Sequence, residues 1–245
     1  MALRDAAAYE SFVAGRRSAI LEAVGEACRE AGRDASEVLV EAVSKTVGLD
    51  EVRCAWDAGW RAFAENRPQE LTRKLDAIRE AGEMPGVRFD MIGNLQKNKI
   101  NQVLGRAELV HSISSEHLAE AVSRRAAARC AVQPVLLEAN VSGEVSKSGF
   151  APDELLESGE RIAALEGIEV RGLMTMAPAG DPDAARRTFC GLRELRDVLR
   201  ARTGLGLPEL SCGMSDDFRE AVLEGSTIVR LGRVVFSPDY ELAAS

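Results

Sequence analysis

The run Val38-Leu39-Val40-Glu41-Ala42-Val43-Ser44-Lys45 is a short stretch rich in β-branched residues, closed by a lysine. A helical pattern precedes it, from about Tyr9 to Ala31, with apolar residues at Phe12, Val13, Ile20, Leu21 and Val24 and a helix-ending glycine at Gly32. A second helical pattern follows over Glu51 to Ala58. A strand set between helices is the repeating unit of a parallel sheet.

The unit recurs along the chain. Further β-rich runs are read at 60–65, 88–93, 108–113, 133–141, 169–176, 208–213 and 228–236, which makes eight with the first. Between them lie helical patterns over Pro68 to Ala81, Gln96 to Leu104, Glu116 to Ala128, Pro152 to Ala164, Asp183 to Arg202 and Asp217 to Leu223. Strict alternation favours a parallel sheet, and a count of eight favours its closure. The fold class is therefore α/β, a single (β/α)8 TIM barrel with an extra N-terminal helix, forming one domain over residues 1–245. The length agrees, since such barrels take about 250 residues. An open doubly wound sheet is the alternative, weakened by the lack of a Gly-x-Gly-x-x-Gly turn after the first strand.

Composition narrows the function. A formal net charge of −8 argues against a nucleic-acid surface, which needs many phosphate-neutralising cations. The one basic cluster, Lys97 to Lys99 with Arg106 beyond it, reads as a solvated loop and helix face. The first residues lack the apolar run of a signal peptide, and no segment approaches the roughly 20 apolar residues of a membrane span. Five cysteines without Cys-x-x-Cys spacing read as reduced thiols of a cytoplasmic protein. No metal is expected, because His111 and His117 show no ligand spacing with cysteines or carboxylates.

Barrel active sites form at the carboxyl ends of the strands, and phosphate is often bound after strands seven and eight. That rule selects Lys45, Asn66, Gly93 with Asn94, His111, Asn140, Met174 with Thr175, Met214 with Ser215, and Gly232 with Arg233. Lys45 could attack an aldehyde as a neutral amine, bind phosphate as a cation, or be a surface charge. Ser215 could hold phosphate or simply cap the next helix. Gly232 permits close backbone approach, and the Arg233 amide can donate to the same group. Arg230 lies on the same strand face as Gly232. An inward arginine needs an acceptor, either a ligand's pyridine nitrogen or a carboxylate such as Glu138. Met174 and Met176 are core filler or a soft contact to a ring. His111 reads as a hydrogen-bonded structural histidine and Cys212 as a small core residue.

Seven segments in register carry a resemblance. They are Ala42–Thr46, Glu65-Asn66 with Gln69-Glu70, Ile92–Lys99, Ser146–Gly149, Arg171–Met174, Gly213–Asp216 and Gly225–Gly232. Together they resemble the YggS/PROSC group, the pyridoxal phosphate homeostasis proteins, whose barrel is similar to that of bacterial alanine racemase. The resemblance implies pyridoxal 5′-phosphate (PLP) held as a Schiff base on Lys45. It implies phosphate contacts from Ser215 and the backbone at Gly232 and Arg233, with Arg230 facing the pyridine nitrogen. The chain departs from the usual pattern at Ala64 and Arg67 around Glu65-Asn66, at Asp90 where histidine is usual, at Arg233, and at Ser237 where glycine is usual.

The resemblance further implies a cytoplasmic PLP carrier without a dedicated reaction, expected as a monomer, with PLP-dependent apoenzymes as recipients. A racemase-type enzyme is the alternative. It would need a second acid or base opposite the lysine, and Tyr9 and Tyr240 lie near the termini with no evident path to the barrel mouth. A Schiff-base phosphosugar aldolase is a third reading.

Overall fold

The computed structural model describes residues 5–144 and 147–242. Ser146 of the Ser146–Gly149 segment, like both ends of the 1–245 span, lies outside the described residues. Eight strands, β1 (Leu39–Val43), β2 (Ala62–Glu65), β3 (Arg88–Met91), β4 (Val110–Ile113), β5 (Gln133–Glu138), β6 (Ile168–Met174), β7 (Glu209–Ser211) and β8 (Ile228–Leu231), pair in parallel and close into a barrel through β1 and β8. Around it lie α1 (Ala6–Glu30), α2 (Leu49–Asp57), α3 (Pro68–Ala81), α4 (Ile100–Val103), α5 (Glu116–Ala127), α6 (Pro152–Ala163), α7 (Pro182–Thr203), α8 (Phe218–Leu223) and α9 (Arg233–Phe236).

Local chemistry sets the helix ends. Asp5 caps α1 by accepting the Ala8 amide at 2.9 Å, filling one of the orphan bonds at a helix start. Pro68 opens α3, and Gly82, at φ 66°, closes it in the left-handed region. The buried stripe of α1 is Val13, Ile20, Val24, Ala27 and Cys28. Leu21, expected on that stripe, is 40% exposed.

Two expectations are corrected. The last β-rich run was read through residue 236, but Arg233–Phe236 is helical. The amides of Val235 and Phe236 turn back to the Gly232 carbonyl at 3.1 and 3.0 Å, which ends the strand despite the β-branched pair Val234-Val235. The helix read over Gln96 to Leu104 is a 3-10 turn at Lys97–Lys99 followed by the single turn of α4.

Alternation along each strand divides the core in two. Val40, Ala42, Val229 and Leu231 join the large apolar cluster shared with the helices. Leu136, Met174 and Ile228, with Leu39 and Leu109, form a separate small cluster. Above it the interior turns polar. Glu41, Asp90, His111, Ser211 and Arg230 are all buried, where branched apolar residues usually fill a barrel.

Candidate functional site

The strand ends open into a cavity of about 390 Å³, within the range of roughly 300–1,000 Å³ typical of small-molecule sites. Lys45, Asn66, Met174, Ser215, Arg230, Gly232 and Arg233 all line it, with Gly93, Asn94 and Met214. The structure thus brings together every residue singled out as a cofactor contact. His111, Thr175 and Asn140 stand apart from the lining. The first two are buried beneath it. Asn140 braces its own loop through the Gly143 amide at 3.1 Å and the Glu144 carbonyl at 2.9 Å.

Lys45 lies two residues beyond β1 and is exposed. Its neighbour Ser44 is buried, and the Ser44 hydroxyl donates to Glu65 at 2.7 Å. Lys74 of α3 supplies the rest of the support. Its amine donates to Glu65 at 2.5 Å, to the Ser44 carbonyl at 2.8 Å and to the Val47 carbonyl at 2.9 Å. The turn carrying Lys45 is therefore gripped on both sides by one buried ammonium. Sequence reading missed Lys74, which a helical wheel of α3 would have flagged as a charge on the apolar face beside Leu71 and Ile78.

On the opposite wall, Ser215 is not a helix cap. Asp217 occupies that position, and the Ser215 hydroxyl accepts the Val234 amide at 3.3 Å. That bond ties the loop after β7 to the turn after β8. A Cβ at Gly232 would meet only Val43, at ordinary distances of 3.5 Å and beyond, so packing within the protein does not demand glycine there. Gly93 is different, since its Cβ would fall 2.0 Å from the Asn66 carbonyl oxygen. The side chain of Arg233 pairs with Asp216.

Arg230 donates to the Ser211 hydroxyl and, at 3.0 Å, to the Thr175 carbonyl. These acceptors take the place of the expected Glu138. Burial pulls the arginine's pKa down. Burial also pushes Glu138 up, against the lowering effect of Arg230.

His111, read as a hydrogen-bonded structural histidine, is one: its ring contacts Ser211 at 2.9 Å and Asp90 at 3.2 Å, with Glu41 at 3.7 Å. Spatial neighbours from three other strands could not be read from spacing. Glu41, Asp90 and His111 each offer a ligand atom within 4.8 Å of the others. Asp90 is however taken by Arg88, at 2.6 to 3.1 Å, and both His111 nitrogens are engaged, while both Glu41 oxygens are buried without a partner. Tyr240 does approach the site, with its hydroxyl 2.8 Å from both the Ser215 carbonyl and an Asp216 oxygen. It stands behind the loop and does not line the cavity.

The donor set suits a phosphorylated aldehyde: an exposed amine, two tethered loops with a glycine turn, and a buried arginine at one end of a cavity of ligand size. Among known proteins, the alanine racemase N-terminal domain family matches residues 21–238. The pyridoxal phosphate homeostasis protein of Aquifex aeolicus is 39% identical over 90% of this chain and 96% of its own. That of Deinococcus radiodurans is 42% identical over 89% and 98%. The structure of PipY from Synechococcus elongatus with PLP bound is similar at a TM-score of 0.80 and 29% identity, covering 92% of this chain and all of that one. Alanine racemase from Corynebacterium glutamicum shares the fold at a TM-score of 0.65 and 19% identity, over 92% of this chain and 64% of its own. The chain belongs to the pyridoxal phosphate homeostasis proteins, within the alanine racemase N-terminal domain family.

Proposed function

We propose that this protein binds PLP for its homeostasis, anchoring it covalently through Lys45 and giving it up to apoenzymes without a dedicated reaction of its own. The observation that carries the reading is the convergence of Lys45, the Ser215 loop, the Gly232–Arg233 turn and Arg230 on one cavity, in a family whose members bear that name. PLP supplies an aldehyde able to form an imine with an amine. Lys45 would make that bond, Ser215 and the backbone of Gly232 and Arg233 would hold the phosphate, and Arg230 would face the ring nitrogen. Asn66 and Met174 would flank the ring. An open mouth with an exposed lysine favours exchange of the imine with another amine. No helix among the described residues is long and apolar enough to cross a membrane, and we place the protein in the cytoplasm as a monomer.

A racemase needs an acid or base across the cofactor from the lysine. No tyrosine lines the cavity among the described residues. Of the two carboxyl groups there, Asp216 is paired with Arg233 and Tyr240, and Glu138 is buried, with its pKa pushed up by desolvation.

The test is the visible absorbance of protein incubated with PLP and desalted, before and after borohydride reduction. Wild type should retain a band that reduction fixes on Lys45, and Lys45→Ala should lose it. Absence of a retained band in wild type would refute the anchor and reopen the phosphosugar reading.

A further inference from the structure

Beneath the cavity runs a string of polar side chains that ends on Arg230, and to whose other four members the binding reading gives no role. Glu41 on β1, Asp90 on β3, His111 on β4, Ser211 on β7 and Arg230 on β8 are each at most 5% exposed. Closure of the barrel brings them together, with Glu41 directly opposite Arg230 across the β1–β8 seam.

Proton positions follow from the donors. Arg230 can only donate, and it donates to the Ser211 oxygen. The Ser211 O–H is then free to point at His111 Nδ1, 2.9 Å away. That leaves the imidazole proton on Nε2, facing Asp90 Oδ2 at 3.2 Å. Asp90 also takes two nitrogens of Arg88. Only Glu41 is left over: both of its carboxyl oxygens are buried without a hydrogen-bond donor. A bare carboxylate beside a second carboxylate is strongly disfavoured there, whereas a carboxylic acid resolves the deficit by donating to Asp90.

We infer that Glu41 as an acid, Asp90 as a carboxylate and His111 as a neutral imidazole form a buried relay that acts through Ser211 to orient Arg230 toward the cofactor ring. The inference rests on the PLP reading of the cavity. The electrostatics agree with it. Burial, then Asp90, pushes Glu41 well above the ordinary carboxyl range. Burial would raise Asp90 too, but hydrogen bonds from Glu41, His111 and Arg88 hold it well below. Burial keeps His111 neutral against the pull of Asp90. The other charges facing the string are Arg88 from β3, Glu138 from β5, Glu209 from β7 and Asp217 before α8. Asp90, paired directly with Arg88, and then Glu209 act on Arg88, and Asp217 and Glu138 act on Arg230.

The test uses the full chain loaded with PLP and desalted, reading the rate of PLP loss and the pH titration of the bound cofactor's absorbance. Ser211→Ala, Asp90→Asn and Glu41→Leu should each speed loss about tenfold, the scale of one hydrogen bond to a charged group. Combining Ser211→Ala with Asp90→Asn should add little, because both interrupt one chain. Glu41→Gln should restore the slow PLP loss of wild type that Glu41→Leu abolishes, since its amide donates to Asp90 as the acid does. Asp90→Asn should also lower the pH at which the lysine-bound cofactor loses its proton, because the charge of Arg230 is then less balanced, and Glu41→Gln should not. A titration shift in Glu41→Gln equal to that of Asp90→Asn would overturn the assignment, as would unchanged loss in Ser211→Ala, the mildest variant, or full additivity in the double variant. Wild type without a retained band would overturn the binding reading itself, whereas a retained band indifferent to these variants would overturn the relay alone.

Discussion

Lys74 is a buried ammonium whose three N–H groups all find oxygen: Glu65 and the carbonyls of Ser44 and Val47. Breaking a buried pair from one side leaves a charge uncompensated, at a cost of about 3–5 kcal/mol. Lys74→Met should lose that much in urea unfolding and should also shed PLP faster, because the turn bearing Lys45 loses its clamp. Removing both charges in Lys74→Met with Glu65→Leu should cost less than the single change, and a larger cost would contradict the ion-pair account. Glu41 gives a pH signature of opposite sign to that of an ordinary salt-bridged carboxylate. Its folded-state pKa is raised, so the folded protein holds a proton that the unfolded chain releases above about pH 4.3. Stability attributable to this group is therefore full below that pH and declines as pH rises toward the folded pKa, by at most about 1.4 kcal/mol per pH unit. Glu41→Gln should match wild type in urea near pH 4 and become progressively more stable than it by pH 8. A constant difference across that range would show that Glu41 is not protonated in the fold.

Among the elements, α3 was legible to the residue because Pro68 and Gly82 mark its ends with backbone chemistry. Strand ends were read too long. Trp60, Leu109 and Cys212 are buried beyond the strand limits, so apolar pattern continues past the regular strands. At Val234-Val235-Phe236 propensity pointed to strand, and the Gly232 carbonyl overrode it by collecting two amides. The wall of the cavity was legible because the strand-end rule depends only on strand order. The polar string was not, since each of its five members comes from a different strand. The loops after β2 and β3 meet at Gly93, whose missing side chain lets the Asn66 carbonyl pass. Gly93→Ala must push that loop outward, moving Asn66 and Asn94 at the cavity. A cost of about 1–3 kcal/mol is expected in urea, with faster PLP loss on desalting; unchanged retention would mean that the Asn66 loop does not shape the site.

At the scale of the whole molecule, α1 decides whether the barrel and its cladding are one cooperative unit. It packs on α2, α8 and α9, and α8 and α9 follow the two loops proposed to hold the phosphate. The Tyr9 hydroxyl donates to the Phe236 carbonyl at 3.0 Å, Arg16 donates to the Tyr240 carbonyl, and Tyr240 reaches Ser215. A helix tied in this way to both the core and the site should not unfold by itself. Ile20, fully buried at the centre of its inner face, is the position to probe. Ile20→Ala should cost about 2–5 kcal/mol from lost burial and the cavity left behind. If residues 5–242 form one domain, the transition followed by circular dichroism and by tryptophan fluorescence should stay single and shift together. Trp60 makes that signal sensitive to α1, since its indole donates to the Val13 carbonyl at 3.5 Å, and Trp56 on α2 contributes beside it. A fluorescence change that precedes loss of helicity would show instead that α1 detaches before the barrel opens, and the cladding would then be a separate layer around an independently stable core.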